Sequence, residues 1–148
     1  MDYLPIFMDL KNKPCLVVGG GDIAARKAGL LLKSNAKVTI VAPAVSTATQ
    51  AFIDDEKVTW IKSLFLTKHL TNTIIVIAAT DKPRVNKDVY RQAKEHKILV
   101  NVADCPELCD FILPSVLDRS PLVVAISSGG KSPILARQLR ARLETLIP

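Results

Sequence analysis

The sequence predicts an α/β protein built on an open, doubly wound parallel sheet, followed by a small α+β segment. Short apolar runs alternate with amphipathic helical patterns through about the first hundred residues, as strands and helices do around such sheets. The most apolar run, Ile74–Ala79, is apolar at every position, which is typical of a strand buried on both faces.

The elements of this first region follow from hydrophobic spacing and from residues that end helices. The predicted strands are Pro14–Val18, Lys37–Val41, Lys57–Ile61, Ile74–Ala78 and Ile98–Val102. The predicted helices are Ile23–Ser34, which Asn35 ends, Ser46–Ile53 and Asn86–Glu95.

The pattern changes after Asp104. Phe111–Pro114 and Leu122–Ile126 are predicted as two strands joined by a turn at Asp118–Pro121, and a last helix begins near Ser132–Pro133. We therefore divide the chain into a first domain, residues 1–109, and a segment, residues 110–148. The segment is too small to bury a hairpin and a helix by itself, so we expect it to pack on the first domain or on another copy of the chain.

Composition limits the class of protein. The 148 residues are 49% apolar and 23% charged, as in a globular domain. Three cysteines and two isolated histidines form neither a disulfide framework nor a zinc pattern, so no structural metal is expected. No apolar stretch approaches the ~20 residues of a membrane helix, and Met1–Tyr3 does not begin a signal peptide. We expect a cytoplasmic protein with reduced thiols and no membrane contact.

The positive charge has several interpretations. Lys and Arg exceed Asp and Glu by 20 to 14, a net charge of +6. This excess would neutralise nucleic-acid phosphates, attract a small polyanionic substrate, or simply cover a solvated surface. An aromatic content of 5% disfavours a protein that stacks on bases, and we expect no nucleic-acid partner.

The clearest local motif is the glycine turn after the first strand. Gly19, Gly21 and Ala24 fit G-x-G-x-x-A between a predicted strand and a predicted helix. Gly19 permits the tight turn, Gly21 lets a diphosphate approach the backbone, and Ala24 allows close helix packing. The motif predicts a Rossmann-like dinucleotide site, although a flexible turn would also contain glycines.

The residues after the second strand indicate which dinucleotide binds. An acidic residue usually holds the adenosine ribose there, but this sequence has Val41-Ala42-Pro43-Ala44. No Lys or Arg lies between Val41 and Glu56 to hold a 2′-phosphate. We therefore expect NAD rather than NADP, with the ribose held by backbone groups near Pro43 and Ala44.

Ligands of such sheets bind at the carboxyl ends of the strands, where further polar residues occur. Thr80 and Asp81 follow the fourth strand, and Asp104 follows the fifth. We assign Thr80 to the cofactor site. Either aspartate would serve as a general base, but Asp81 is also placed to cap a helix, and Asp104, before Cys105-Pro106, is also typical of a turn.

A second glycine-rich loop, Ser127–Ser132, precedes the last helix. It is not a P-loop, because Ala125 stands where that motif needs its first glycine. Ser128, Gly129 and Lys131 would bind carboxylates of an anionic ligand. The nearby arginines fit that use and fit equally the exposed face of an interface helix.

Several motifs in one order resemble the amino-terminal module of sirohaem synthase, the precorrin-2 dehydrogenase/ferrochelatase family. They cover nearly the whole chain and are, in order, Leu4–Phe7, Val18–Ala24 with Arg26-Lys27, Ala78–Asp81, Asn101–Asp104, Phe111–Ser115, Asp118–Leu122 and Ser127–Pro133.

The resemblance implies an activity and its residues. NAD⁺ would accept a hydride from precorrin-2, an anionic tetrapyrrole, to give sirohydrochlorin, and Fe²⁺ would then be inserted to give sirohaem. The family's catalytic aspartate falls on Asp104, which would also meet the substrate iron. Its dinucleotide contacts fall on Gly19–Ile23, which includes Asp22 and Ile23, and on Pro43-Ala44. Residues 110–148 would form the contact of a homodimer.

The resemblance also marks a difference. Family modules continue into a helical lobe, and many into a methyltransferase domain, whereas this sequence ends at Pro148. We expect NAD binding to be retained and leave iron insertion open. A non-catalytic NAD-binding regulatory module, or a nucleic-acid binder using the basic tail, are the alternative functions.

Overall fold

The computed structural model describes all residues from Met1 to Pro148 and divides into two compact units. The larger unit is Ile6–Asp110; the smaller combines Met1–Pro5 with Phe111–Pro148. The sequence pattern does not indicate that the first five residues group with the carboxy-terminal ones. No helix is both long and apolar enough to cross a membrane.

A five-stranded parallel sheet forms the centre of the larger unit, which confirms the predicted fold class. Its strands are β1 (Pro14–Val18), β2 (Lys37–Val41), β3 (Val58–Ile61), β4 (Ile75–Ala78) and β5 (Leu99–Val102). Their spatial order is β3-β2-β1-β4-β5. The order reverses between β1 and β4, and ligands of doubly wound sheets bind outside the carboxyl ends of the strands at such a point.

Three helices connect these strands. They are α1 (Asp22–Lys33), α2 (Thr47–Asp54) and α3 (Pro83–Glu95), with short 3-10 turns at Thr67–Leu70 and Pro106–Leu108. Every residue of β4 is buried, as its uniformly apolar sequence predicts. The prediction placed the start of α3 at Asn86, too late: the helix begins at Pro83, because proline suits the first helical turn.

All three helices end in the same way although none is followed by glycine. The residues Asn35, Glu56 and Lys97 have φ of +59°, +55° and +56°. After α3, the Lys97 N–H donates to the Lys94 carbonyl over 3.2 Å and the Ile98 N–H to the Ala93 carbonyl over 2.9 Å. This pairing is the Schellman motif, which turns the chain from each helix into the next strand.

The smaller unit contains a two-stranded antiparallel sheet and a helix. They are β6 (Ser115–Arg119), β7 (Leu122–Ile126) and α4 (Pro133–Leu146). The predicted strand Phe111–Pro114 is wrong: β6 begins after Pro114, since proline has no N–H for a ladder. The predicted turn is correspondingly too long, because Asp118 and Arg119 still pair with β7.

The left-handed residue after α3 provides a test of how this fold is stabilised. We expect Lys97→Gly to raise the free energy of unfolding by about 1 kcal/mol, because glycine adopts positive φ without steric cost. Urea denaturation followed by circular dichroism measures the change. Lys87→Gly, at an exposed position inside α3, is the control and should lower stability by about 1 kcal/mol. Equal losses in both variants would contradict this account.

Candidate functional site

The turn Gly19–Gly21 joins β1 to α1 and lies at the point where the strand order reverses. Gly19 has φ +129°, and a Cβ there would lie 2.3 Å from the Ala79 carbonyl oxygen. The Ala79 N–H donates to the Val18 carbonyl over 2.8 Å, which holds the end of β4 against the turn. Only glycine fits position 19, so its predicted role in the tight turn agrees with the geometry.

Gly20 is required for a different reason, which the motif does not indicate. A Cβ at this position would lie 2.2 Å from the Ala44 carbonyl oxygen. The Gly20 carbonyl accepts hydrogen bonds from the Thr49 hydroxyl at 2.9 Å and from the Ser46 N–H at 2.7 Å. Thr49 is completely buried. The start of α2 therefore fixes the glycine turn from behind.

Gly21 faces open space instead. A Cβ at this position would meet no atom within 4 Å. Gly21 is the N-cap of α1 and supplies no side-chain cap, and the helical hydrogen bonds start with the Ala25 N–H to its carbonyl. The N–H groups of Asp22 and Ile23 thus precede the helical ladder. This arrangement fits a dinucleotide diphosphate, which needs close backbone approach and N–H donors.

β2 and β4, which flank β1 in the sheet, place the other predicted cofactor residues at the same edge. Pro43 and Ala44 follow β2 and are exposed, and Thr80 follows β4. The Thr80 hydroxyl donates to Asn86 Oδ1 over 2.7 Å and accepts from the Lys82 N–H over 3.2 Å. Buried Asn86, which the sequence did not single out, therefore fixes the loop that carries Thr80.

The interpretation of Asp81 as a helix cap is wrong. The N-cap of α3 is Lys82, without a side-chain hydrogen bond to the helix. The Thr80 hydroxyl accepts a hydrogen bond from the N–H of Lys82, the residue before the helix. Asp81 is exposed at the same edge of the sheet.

Asp104 follows β5, where the sequence left open a general base and a turn residue. Its φ is +59°, so it is a turn residue, and its carboxylate is exposed. The loop after it folds back on the strand: the Val102 N–H donates to Cys109 Sγ over 3.2 Å, and that thiol donates to the Val102 carbonyl over 3.3 Å. The turn thus presents the carboxylate at the carboxyl end of β5.

Lys27 is a residue of this site that sequence reasoning did not assign. Burial lowers the pKa of its ammonium, while the negative charge of Asp104 raises it and the charge of Arg26 lowers it further. The half-buried Lys27 therefore lies within electrostatic reach of Asp104. A signal was present, because Lys27 lies three residues after Ala24 and four before Leu31, on the buried side of α1.

The serine-glycine loop, Ser127–Ser132, belongs to the smaller unit, and its hydrogen bonds are internal. Gly129 and Gly130 have φ of +66° and +79°. The Ser128 hydroxyl accepts from the Ser132 N–H over 2.7 Å. The Lys131 ammonium lies 3.4 Å from the Asp2 carboxylate. The side chains of Ser128 and Lys131 already have partners in the chain, and their use for an anion remains a prediction.

No group of three or more His, Cys, Asp and Glu side chains is arranged to hold a metal ion. The thiol of Cys15 is buried in β1, and burial raises its pKa to about 11. It is therefore protonated at neutral pH.

The fold and the glycine turn together define a dinucleotide-binding protein of the Rossmann type. Residues 6–115 match a family model described as putative NAD(P)-binding, and residues 119–146 match one described as sirohaem biosynthesis protein, central. The chain belongs to the precorrin-2 dehydrogenase family, which forms the amino-terminal module of sirohaem synthases, and its cofactor is NAD.

Individual relatives agree with this assignment. The chain is 51% identical over 148 residues to a sirohaem synthase of Photobacterium profundum. It is 52% identical over the same length to one of Nitrosococcus oceani. It covers 32% of the length of each of these proteins. The solved structure of SirC, a precorrin-2 dehydrogenase, superposes with a TM-score of 0.81 at 30% identity, covering 99% of this chain and 72% of that one.

The open position at Gly21 makes a prediction that separates binding from folding. Gly21→Asp should lower NAD⁺ affinity by about 100-fold, because a carboxylate would occupy the helix N–H groups and repel the diphosphate. Its stability should stay within about 0.5 kcal/mol of the parent, since Asp is a favoured N-cap residue. Isothermal titration calorimetry and urea denaturation measure the two quantities.

Gly20→Ala is the matched control in the same turn. Its methyl group would collide with the Ala44 carbonyl oxygen, so we expect a loss of more than about 2 kcal/mol in the free energy of unfolding. Undiminished NAD⁺ binding by Gly21→Asp would show that the diphosphate lies elsewhere.

Proposed function

We propose that this chain is an NAD⁺-dependent precorrin-2 dehydrogenase that forms sirohydrochlorin in sirohaem synthesis. The observation that carries the proposal is the shared edge of the sheet. The glycine turn follows β1 and Asp104 follows β5, and only β4 lies between these strands. A dinucleotide on the turn and the carboxylate on the loop after β5 would then face one crevice. The similarity to SirC, a precorrin-2 dehydrogenase, supports this substrate.

The residues of this edge fit the demands of a dehydrogenation. Removing two hydrogens from the tetrapyrrole releases a hydride and a proton. NAD⁺, when bound, supplies the hydride acceptor. Asp104 takes the proton as a general base, because it is an exposed carboxylate held by the turn after β5. The Lys27 ammonium interacts electrostatically with this carboxylate, whose negative charge raises the pKa of the lysine.

The substrate class is consistent with the charge of the chain. A tetrapyrrole of this kind carries many carboxylates, and a net charge of +6 favours its approach. In the proposal the basic surface serves this small anion and not a nucleic acid. With NAD as cofactor and three free cysteines, the proposed location is the cytoplasm.

Iron insertion is the family's second reaction and would use Fe²⁺ as a substrate. Insertion releases protons from the pyrrole nitrogens, and Asp104 is an exposed carboxylate on this edge that would accept them. The activity is measured separately from dehydrogenation, by formation of sirohaem from sirohydrochlorin and Fe²⁺.

The role of Asp104 is tested by Asp104→Asn. We expect precorrin-2 oxidation, followed as NADH absorbance, to fall about 100-fold or more, because the amide accepts no proton at neutral pH. Asn tolerates the left-handed backbone of this position, so folding is preserved. NAD⁺ affinity should stay within about twofold, since the diphosphate is held by the glycine turn.

Glu107→Gln is the matched control, an equivalent change at an exposed carboxylate of the same loop. It should leave the rate unchanged. Parent activity in Asp104→Asn would remove the catalytic assignment, and NAD⁺ binding without any NADH production by the parent would favour the regulatory module instead.

We further propose that residues 110–148 form a homodimer contact. The smaller unit has a small core, in which Leu117 and Ala136 are buried. Its large apolar side chains are instead mostly exposed: Leu122 by 51%, Ile134 by 61%, Leu135 by 50%, Leu139 by 40% and Leu146 by 73%. An apolar surface of this kind on α4 and β7 is typical of a subunit interface.

The interface is tested by Leu135→Glu, which we expect to convert a dimer into a monomer at about 10 μM, because burying an unpaired carboxylate is unfavourable. Light scattering after gel filtration gives the mass. Ala51→Glu adds the same charge to an exposed position of α2, in the larger unit, and should remain dimeric. A monomeric parent would contradict the proposal.

A further inference from the structure

The carboxyl end of β2 lacks the acidic residue that selects NAD in this type of site. Ala42, Pro43 and Ala44 follow the strand, and the first carboxylate after them belongs to Asp54, at the far end of α2. An acid at this position holds the ribose 2′-hydroxyl and would repel a 2′-phosphate. This chain has no such repulsion from the β2–α2 loop.

The sheet topology brings a cation to this position from a distant part of the sequence. β3 pairs in parallel with β2, with Ile61 opposite Val41. The pairing continues past the strands, since the Ala42 N–H donates to the Ile61 carbonyl over 3.2 Å. Lys62 is the next residue of that edge. It therefore lies beside the loop where the adenosine ribose of a bound dinucleotide is held.

Trp60 links the lysine to the loop. Its indole Nε1–H donates to the Ala42 carbonyl over 3.0 Å. The Lys62 ammonium lies over the same ring, 5.9 Å from its centroid. Lys62 is exposed and takes part in none of the ion pairs of the structure. The indole thus holds the charge close to the loop while its donors stay free for a ligand.

We propose that Lys62 is a specificity-determining residue that binds the 2′-phosphate of NADP⁺, so that the site accepts NADP⁺ as well as NAD⁺. The inference rests on the dinucleotide site of the proposed function and adds a second cofactor to it. A lysine ammonium suits a phosphate as a point charge. NAD⁺ has no phosphate at this position, so its binding does not depend on Lys62.

The test is isothermal titration of the full chain with NAD⁺ and with NADP⁺. We expect the parent to bind both. In Lys62→Glu the affinity for NADP⁺ should fall about 30-fold, the loss expected for a charged phosphate contact, while that for NAD⁺ changes by less than about threefold. Lys62→Arg should retain NADP⁺ binding. Emission from Trp60, the single tryptophan of the chain, gives an independent signal beside the site.

Lys37→Glu is the matched control, with the same charge change at the opposite end of β2, and should leave both affinities unchanged. Two results would overturn the role of Lys62: equal loss of NAD⁺ and NADP⁺ binding in Lys62→Glu, or a parent that binds NAD⁺ but not NADP⁺. In either case the NAD site proposed for the parent would stand. A parent that binds neither would overturn the proposed function itself.

Discussion

The close approach of three backbone segments at the end of β1 is the constraint on which the site depends. Gly19 and Gly20 have no side chain where the carbonyl groups of Ala79 and Ala44 lie, at 2.3 and 2.2 Å from the missing Cβ positions. The loops after β4 and β2 therefore touch the turn from two sides. Buried Thr49 then holds the glycine turn through the Gly20 carbonyl, and buried Asn86 holds the loop after β4 through Thr80. Rigid backbone of this kind suits a diphosphate.

The third glycine serves the ligand rather than the fold. Gly21 has an ordinary extended backbone, with φ −82° and ψ −172°, and open space in place of a side chain. Gly19 and Gly20 are thus required because a side chain would collide with the protein backbone, whereas Gly21 leaves room for a cofactor. Asp104 likewise has a structural and a chemical part. Its left-handed backbone forms the turn after β5, and its exposed carboxylate is available for chemistry.

The two units differ in how they bury apolar surface. The larger unit covers its parallel sheet with helices, so that residues of β1 and β4 such as Val17 and Val76 are fully buried. The smaller unit has one ribbon and one helix, which is too little to cover the leucines of α4. A surface shared between copies would bury them, and the proposed enzyme would then depend on association for part of its stability.

The sequence by itself determined the parallel sheet, the glycine turn and the position of Asp104, because apolar runs, glycines and strand ends are local features of the chain. It misplaced β6, where Pro114 had been included in a strand, since pairing depends on a partner. Only the tertiary structure decided which distant residues meet. The charge of Asp104 acts on Lys27 of α1, and Lys62 lies beside the loop after β2 because β3 pairs with β2. These arrangements depend on the order of the strands in the sheet, and the spacing of residues along the sequence does not reveal that order.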